Sequence, residues 1–191
     1  AALFWDLDHD GFMAIAVADK LVGGGAVIRH YSMFGFMGLF IVDKQFRSQK
    51  LGSRLWVARK ERLQSRLASG AAIGLDGVDE MVPFYERGGF RQFTRHRRFE
   101  FISTDATPDL DTGLTELANI DFSAIEDLDE GCFPGNRHDF LRSWIEQDNA
   151  IGLGLIEKDQ LRGYGLMRPC LSGWKVGPLI ADEAAIANRL W

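Results

Sequence analysis

Residues Phe36 to Leu67 read FMGLFIVDKQFRSQKLGSRLWVARKERLQSRL, an apolar run that passes through a polar loop straight into an amphipathic helix. Apolar residues dominate Phe36 to Val42, and polar and charged residues fill Asp43 to Lys50. Leu51, Leu55, Ala58, Leu63 and Leu67 then recur at helical spacing, so a buried strand feeds a half-buried helix. The first turn of such a helix leaves N–H groups without intrahelical partners and carries the positive end of the macrodipole. Backbone around Gln49 to Ser53 is therefore suited to a phosphate or pyrophosphate.

Beyond this stretch, the chain repeats itself. An offset of 139 positions carries Arg29 onto Arg168, and the same offset pairs Val22 with Leu161, Gly24 with Gly163, Gly38 with Gly177, Ile41 with Ile180 and Asp43 with Asp182. Each copy reads as three strands: Phe12 to Ala18, Leu21 to Tyr31 and Phe36 to Val42, then Ala150 to Glu157, Leu161 to Pro169 and Trp174 to Ala181. Asp19-Lys20 and Lys158-Asp159-Gln160 suit hairpin turns, which makes both copies antiparallel meanders. Past Asp182 the copies part. Glu183 leads straight into a helix, and two acids at that start oppose a pyrophosphate while favouring the helix itself. An anion seat is thus expected in the first copy alone.

The spacing Arg47-Ser48-Gln49-Lys50-Leu51-Gly52-Ser53 resembles the R/Q-x-x-G-x-G/A pyrophosphate loop of the GCN5-related N-acetyltransferases (GNAT), with Lys50 where the family usually has its first glycine. Downstream, Val82-Pro83-Phe84-Tyr85-Glu86-Arg87-Gly88-Gly89-Phe90 resembles the L-Y-x-x-x-G-F signature of the same family. Packing alone also accounts for Phe84 and Tyr85, with Gly88-Gly89 ending the helix in a left-handed cap before a strand at Phe90.

The resemblance, closest to bacterial tandem proteins with a divergent second GNAT-like domain, implies an α+β fold of α/β/α layers. It implies two tandem GNAT-like modules around mixed, mostly antiparallel sheets. Domains are expected at 1–102 (coenzyme binding) and 112–191 (degenerate), with a Pro-, Thr- and Asp-rich linker at 103–111. Helices opening the second module are expected over about Asp121 to Gly131 and His138 to Gln147. Relative to the resemblance both modules look truncated, the first before Phe12 and the second after Trp191.

By the same resemblance, acetyl-CoA is the cosubstrate, held by Arg47, Ser48, Gln49, Lys50, Leu51, Gly52 and Ser53. Phe40, Ile41 and Val42 pair with its pantetheine, and Phe84 and Arg87 lie along it. Tyr85 is the acid that protonates the departing thiolate. No acid occupies the strand Phe36 to Val42, where many members carry a glutamate, so Asp76 at the end of the strand Ala72 to Asp76 is the candidate base; a turn-forming Asp-Gly is an equal reading of it. Trp5, His30, Tyr31 and Met33 are candidate walls for the acceptor, a small-molecule primary amine. The alternatives are a catalytically silent acyl-CoA-binding or sensing module and a purely structural double module.

Other signals are weaker. Asp6 to Gly11 opens like an EF-hand loop, but the twelfth position falls on Val17 where a bidentate glutamate is required. The four histidines lack metal-ligand spacing, so no metal is expected. Arg87, Arg91, Arg95, His96, Arg97 and Arg98 interleave with Phe90, Phe93 and Phe99. Alternation across a two-sided sheet explains that run more simply than RNA stacking does. A formal charge of −5 argues against nonspecific nucleic-acid binding. No apolar run approaches the roughly 20 residues of a membrane span. Cys132 and Cys170 have no C-x-x-C spacing, and reduced thiols in a cytoplasmic protein are the expectation, with a homodimer allowed.

Overall fold

The computed structural model describes residues 2–102 and 113–191. It has two four-stranded sheets, ordered β1-β2-β3-β4 and β5-β6-β7-β8. The first half contains α1 (Ala2–Leu7), β1 (Phe12–Val17), β2 (Lys20–Tyr31), β3 (Phe34–Val42), α2 (Leu51–Gln64), β4 (Ala72–Leu75) and α3 (Val82–Arg87). The second contains β5 (Leu114–Glu116), α4 (Phe122–Glu130), α5 (His138–Ile145), β6 (Ile151–Glu157), β7 (Gln160–Pro169), β8 (Trp174–Ala181) and α6 (Ala184–Leu190). Residues 2–74 and 113–191 belong to one compact unit and 75–102 to another. The expected linker, 103–111, lies outside the described residues.

Both meanders are antiparallel, as their turns require. Ala18-Asp19 and Lys158-Asp159 carry the paired positive φ of two-residue type I′ turns, whose twist matches that of the flanking strands. The repeat is real, but its register differs from the sequence alignment. Gly24 pairs with Ile41 and Tyr164 pairs with Ile180, so β2 maps onto β7 with an offset of 140 while β3 maps onto β8 with 139. Four residues separate Pro169 from Trp174, against five between the equivalent pair Arg29 and Gly35, which absorbs the difference. Val22 therefore corresponds to Arg162 and Arg29 to Pro169, and the aligned glycines of β2 and β7 are a coincidence of one slipped position. Asp43 and Asp182 remain equivalent: their N–H groups donate to the carbonyls of Val22 (2.8 Å) and Arg162 (3.0 Å).

A bulge in β3 decides what each face of the first sheet does. Between Ala26↔Gly38 and Gly24↔Ile41, β2 advances two residues and β3 three, and Leu39 takes φ 46°. An extra residue switches the side-chain alternation. Gly35 and Met37 face α2 before the bulge, with Gly35 against Leu63; Phe40 and Val42 face it afterwards, both against Gly52. Leu39 (51% exposed) and Ile41 (67%) are turned to the opposite face.

Helix α2 buries Leu51, Leu55, Arg59 and Leu63, one row at four-residue spacing, together with Trp56. Arg59 is only 1% exposed. Its Nη2 donates to the carbonyls of Ala26 (2.7 Å) and Gly38, and its guanidinium lies 5.0 Å over the Phe40 ring. It thus pins both strands at the bulge. Gly25 is required here, because a Cβ would lie 2.5 Å from Arg59 Nε and 2.8 Å from the Leu39 carbonyl oxygen.

The core of the second half gathers Leu117, Ile120, Ile125, Leu141, Tyr164 and Leu166. The two expected helices form as α4 and α5, the first capped by the Asp121 carboxylate accepting from the Ser123 N–H at 3.0 Å. The expected strand at Phe90 does not form: residues 90–102 carry no helix or strand, and Phe93 and Phe99 are 91% and 85% exposed. Period-two alternation becomes a strand only where a neighbouring strand takes its amides. Among the described residues no helix is long and apolar enough to cross a membrane.

Candidate functional site

The loop after β3 is shaped by three local contacts. The Asp43 carboxylate accepts from the Gln45 N–H (3.0 Å), the Arg47 N–H donates to the Lys44 carbonyl (3.4 Å), and Arg47 Nε donates to the Val42 carbonyl (3.0 Å). Ser48 and Lys50 then take φ of 64° and 61°. Lys50 is the N-cap residue of α2, and its carbonyl accepts the first intrahelical bond, from the Arg54 N–H at 3.1 Å. The residue at the family's glycine position therefore adopts the left-handed conformation a glycine would supply. For a lysine this costs about 1–2 kcal/mol, retained because the turn is held at both ends.

Among the described residues, no acceptor takes the N–H groups of Gln49, Lys50, Leu51, Gly52 or Ser53. Lys44, Arg47, Lys50 and Arg54 flank them in sequence, and all four are exposed. Free amides and a helix dipole, with four cations close in sequence, favour an anionic group such as a diphosphate. Phe40, Ile41 and Val42 end β3 directly before it. The corresponding place in the second half is built the other way. Arg162 donates there to Asp182 and, at 3.2 Å, to Glu183, with Glu157 and Arg189 completing an ion-pair network. Carboxylates stand where phosphate would have to enter.

In the unit formed by residues 75–102, α3 carries Phe84, Tyr85 and Arg87. Its end is a Schellman motif, with the Phe90 N–H donating to the Tyr85 carbonyl (3.1 Å) and the Gly89 N–H to the Glu86 carbonyl (2.9 Å). The Tyr85 ring packs on Gly77 and, edge-on, on Phe84 at 5.6 Å. Asp76 is exposed and pairs with His96 at 3.3 Å.

Of the acceptor-wall candidates, His30 and Tyr31 meet the second half. His30 stacks on Phe34 (5.8 Å) and contacts the edges of Phe133 (5.4 Å) and Phe140 (5.6 Å), while the Tyr31 hydroxyl donates to the Pro134 carbonyl. Trp5 instead packs on Phe12 at 5.1 Å, and Met33 is 43% exposed. Burial, and after it the Arg137 guanidinium, hold His30 down at about 4, against an upward pull from Asp8. The sign follows from the neutral imidazole of the folded state. Below the unfolded value of 6.5 only the unfolded chain takes the proton, so stability falls from about pH 6.5 to about pH 4 and no further on this account. The loss from this group is about 2–3 kcal/mol. Urea unfolding at pH 7 and 4.5 is expected to show it in the parent and not in His30→Phe; equal pH dependence in both would contradict it.

Arg59 and the Leu39 bulge are features that motif reading passes over. Arg59 is nevertheless signalled by its place in the 51-55-59-63 row. Among the described residues no group of three or more His, Cys, Asp or Glu could hold a metal ion.

These features define a GNAT fold. Residues 5–104 match a family model described as an acetyltransferase (GNAT) domain, and residues 125–191 match a second model of the same description. The chain belongs to the GNAT acetyltransferase family and carries two of its domains in tandem.

Among curated relatives, it is 23% identical over 188 residues to the holothin acyltransferase of a Pseudoalteromonas species, covering 98% of this chain and 62% of that protein. It is 30% identical over 155 residues to YitH of Bacillus subtilis, an uncharacterized N-acetyltransferase, covering 81% of this chain and 54% of that protein. The chain thus spans roughly half to three-fifths of the length of these relatives. A solved structure from Pyrococcus horikoshii, described as a candidate acetyltransferase, superposes with a TM-score of 0.76 at 19% identity, covering 99% of this chain and 62% of that one, and shows the shared fold.

Proposed function

We propose that this chain is the core of an acetyl-CoA-dependent N-acetyltransferase acting on a primary amine of a small molecule. The observation that carries the reading is the row of free amides from Gln49 to Ser53, with Lys50 in the left-handed conformation. The diphosphate of acetyl-CoA rests on those amides, Arg47 and Lys50 add charge, and the pantetheine lies along Phe40 to Val42. The second domain, 112–191, serves as scaffold and wall, since its equivalent helix start is filled by ion-paired carboxylates.

In the reaction, the ammonium of the acceptor first loses a proton, for which Asp76 is the proposed base. The amine nitrogen bonds to the thioester carbonyl carbon, whose oxygen takes a hydrogen bond from a strand amide near Ile41. The C–S bond breaks, and the thiolate takes its proton from Tyr85, with Phe84 and Arg87 beside the coenzyme. An N-acetyl amine and free coenzyme leave.

A second reading, a silent acyl-CoA-binding module, is favoured by one observation: Asp76 is exposed and paired with His96. Thiol release from acetyl-CoA over an amine panel separates the two. Turnover in the parent, with kcat about 10- to 1,000-fold lower in Tyr85→Phe, is the expected result. Saturable coenzyme binding without turnover of any amine supports the silent module.

A further inference from the structure

Beyond the coenzyme seat, the fold also constrains what stands at the other end of β3. An acceptor site at that end presupposes the N-acetyltransferase reading above. With the diphosphate at the C-terminal end of β3, a carrier lying along that strand delivers its acyl group toward Phe36 and Phe34. The face open to an acceptor there is the one turned away from α2. It runs from the exposed Ile41 and Leu39, past the half-buried Gly38 and Phe36, to Phe34, which is 7% exposed.

What closes this face at Phe34 comes from the second half. Phe133 meets the Phe34 ring edge-on at 5.3 Å. Its loop is held rigidly: the N–H groups of Cys132 and Phe133 both donate to the Asp129 carbonyl at 2.9 Å. Asn136 Nδ2 donates to Glu126 (2.8 Å) and Glu130 (2.6 Å). The Arg137 guanidinium lies 4.0 Å over the Phe133 ring. Gly135, at φ 151°, sits so close to the Tyr31 ring that a Cβ has no room. Two guanidinium groups at this junction are paired with carboxylates. Arg137 forms two bonds to Asp129, at 2.7 and 2.8 Å, and Arg66 pairs with Asp8 at 2.6 Å. Flat ring surfaces beside paired guanidinium groups offer less to an anionic group than to an apolar one.

We propose that Phe133 of the second half is the specificity-determining wall of the acceptor site, selecting amines carried on an uncharged, flat apolar body over anionic ones. Specificity would then be supplied by the domain that has lost its own coenzyme seat.

The test compares kcat/KM for tryptamine, phenethylamine, butylamine and glutamate in the parent, Phe133→Ala and Phe133→Leu, with acetyl-CoA affinity measured calorimetrically on each. The expected result is a parent that prefers the two arylalkyl amines. In Phe133→Ala their kcat/KM falls about 10- to 100-fold, butylamine changes much less, and coenzyme affinity is unchanged. Phe133→Leu, which keeps bulk and folding, gives a smaller loss in the same order. A parent that prefers glutamate, or substitutions that lower all amines equally with coenzyme binding intact, overturns this proposal alone. A parent that does not bind acetyl-CoA overturns the N-acetyltransferase reading and this proposal with it.

Discussion

Asp129→Ala lowers the unfolding free energy by about 3–5 kcal/mol, a large loss for a single site. Asp129 is 1% exposed and accepts three hydrogen bonds: Arg137 Nε at 2.7 Å, Arg137 Nη2 at 2.8 Å and the Tyr164 hydroxyl at 2.9 Å. Tyr164 is fully buried, and burial, followed by the neighbouring carboxylate, pushes its phenol well above its ordinary value of 10, so it remains a donor throughout the working pH range. Removing the carboxylate strands a mostly buried guanidinium and a buried hydroxyl together. Tyr164→Phe leaves the bidentate pair intact and costs only about 1–2 kcal/mol. Urea unfolding followed by circular dichroism distinguishes these values; a loss below about 1 kcal/mol in Asp129→Ala would mean that the triad does not hold α4, the 131–137 loop and β7 together.

That triad also marks where sequence reading stops. Strands and hairpins were legible because alternation and turn chemistry are local: β1, β2 and β3 begin and end within about two residues of the expected positions. The strand-to-helix junction was legible for the same reason. Asp129, Arg137 and Tyr164 lie in three elements, and their meeting is a tertiary fact with no local signal. The β3 bulge was hidden too, because Leu39 is an ordinary strand residue and its positive φ is imposed by Arg59 and Gly25 across the ladder. The repeat illustrates the opposite error. Matching glycines suggested one offset for the whole unit, whereas the hydrogen-bond ladder sets β2 and β3 one residue apart. Phe90, Phe93 and Phe99 alternate like a strand, and the exposure of Phe93 and Phe99 shows that pattern alone does not supply a partner.

Gly52→Asp is expected to weaken acetyl-CoA binding at least about 100-fold while leaving the fold intact or slightly firmer, and the opposition of the two signs is what makes it informative. Gly52 lies in the first turn of α2, and a Cβ there would meet only Phe40 Cζ and Val42 Cγ2, each at 3.7 Å, an ordinary contact. A carboxylate in this turn interacts favourably with the helix dipole, by about 0.3–1 kcal/mol. The same charge faces the proposed diphosphate, and at about 4 Å in a partly screened site each like-charge pair costs about 4 kcal/mol, more than the roughly 2.7 kcal/mol that a 100-fold loss of affinity requires. Gly52→Ala adds the Cβ without the charge and should lose far less. Calorimetric titration with acetyl-CoA, paired with thermal unfolding of each variant, reads both quantities. Unchanged affinity in Gly52→Asp would place the coenzyme elsewhere, since no diphosphate resting on the free amides of Gln49 to Ser53 could ignore a carboxylate planted among them.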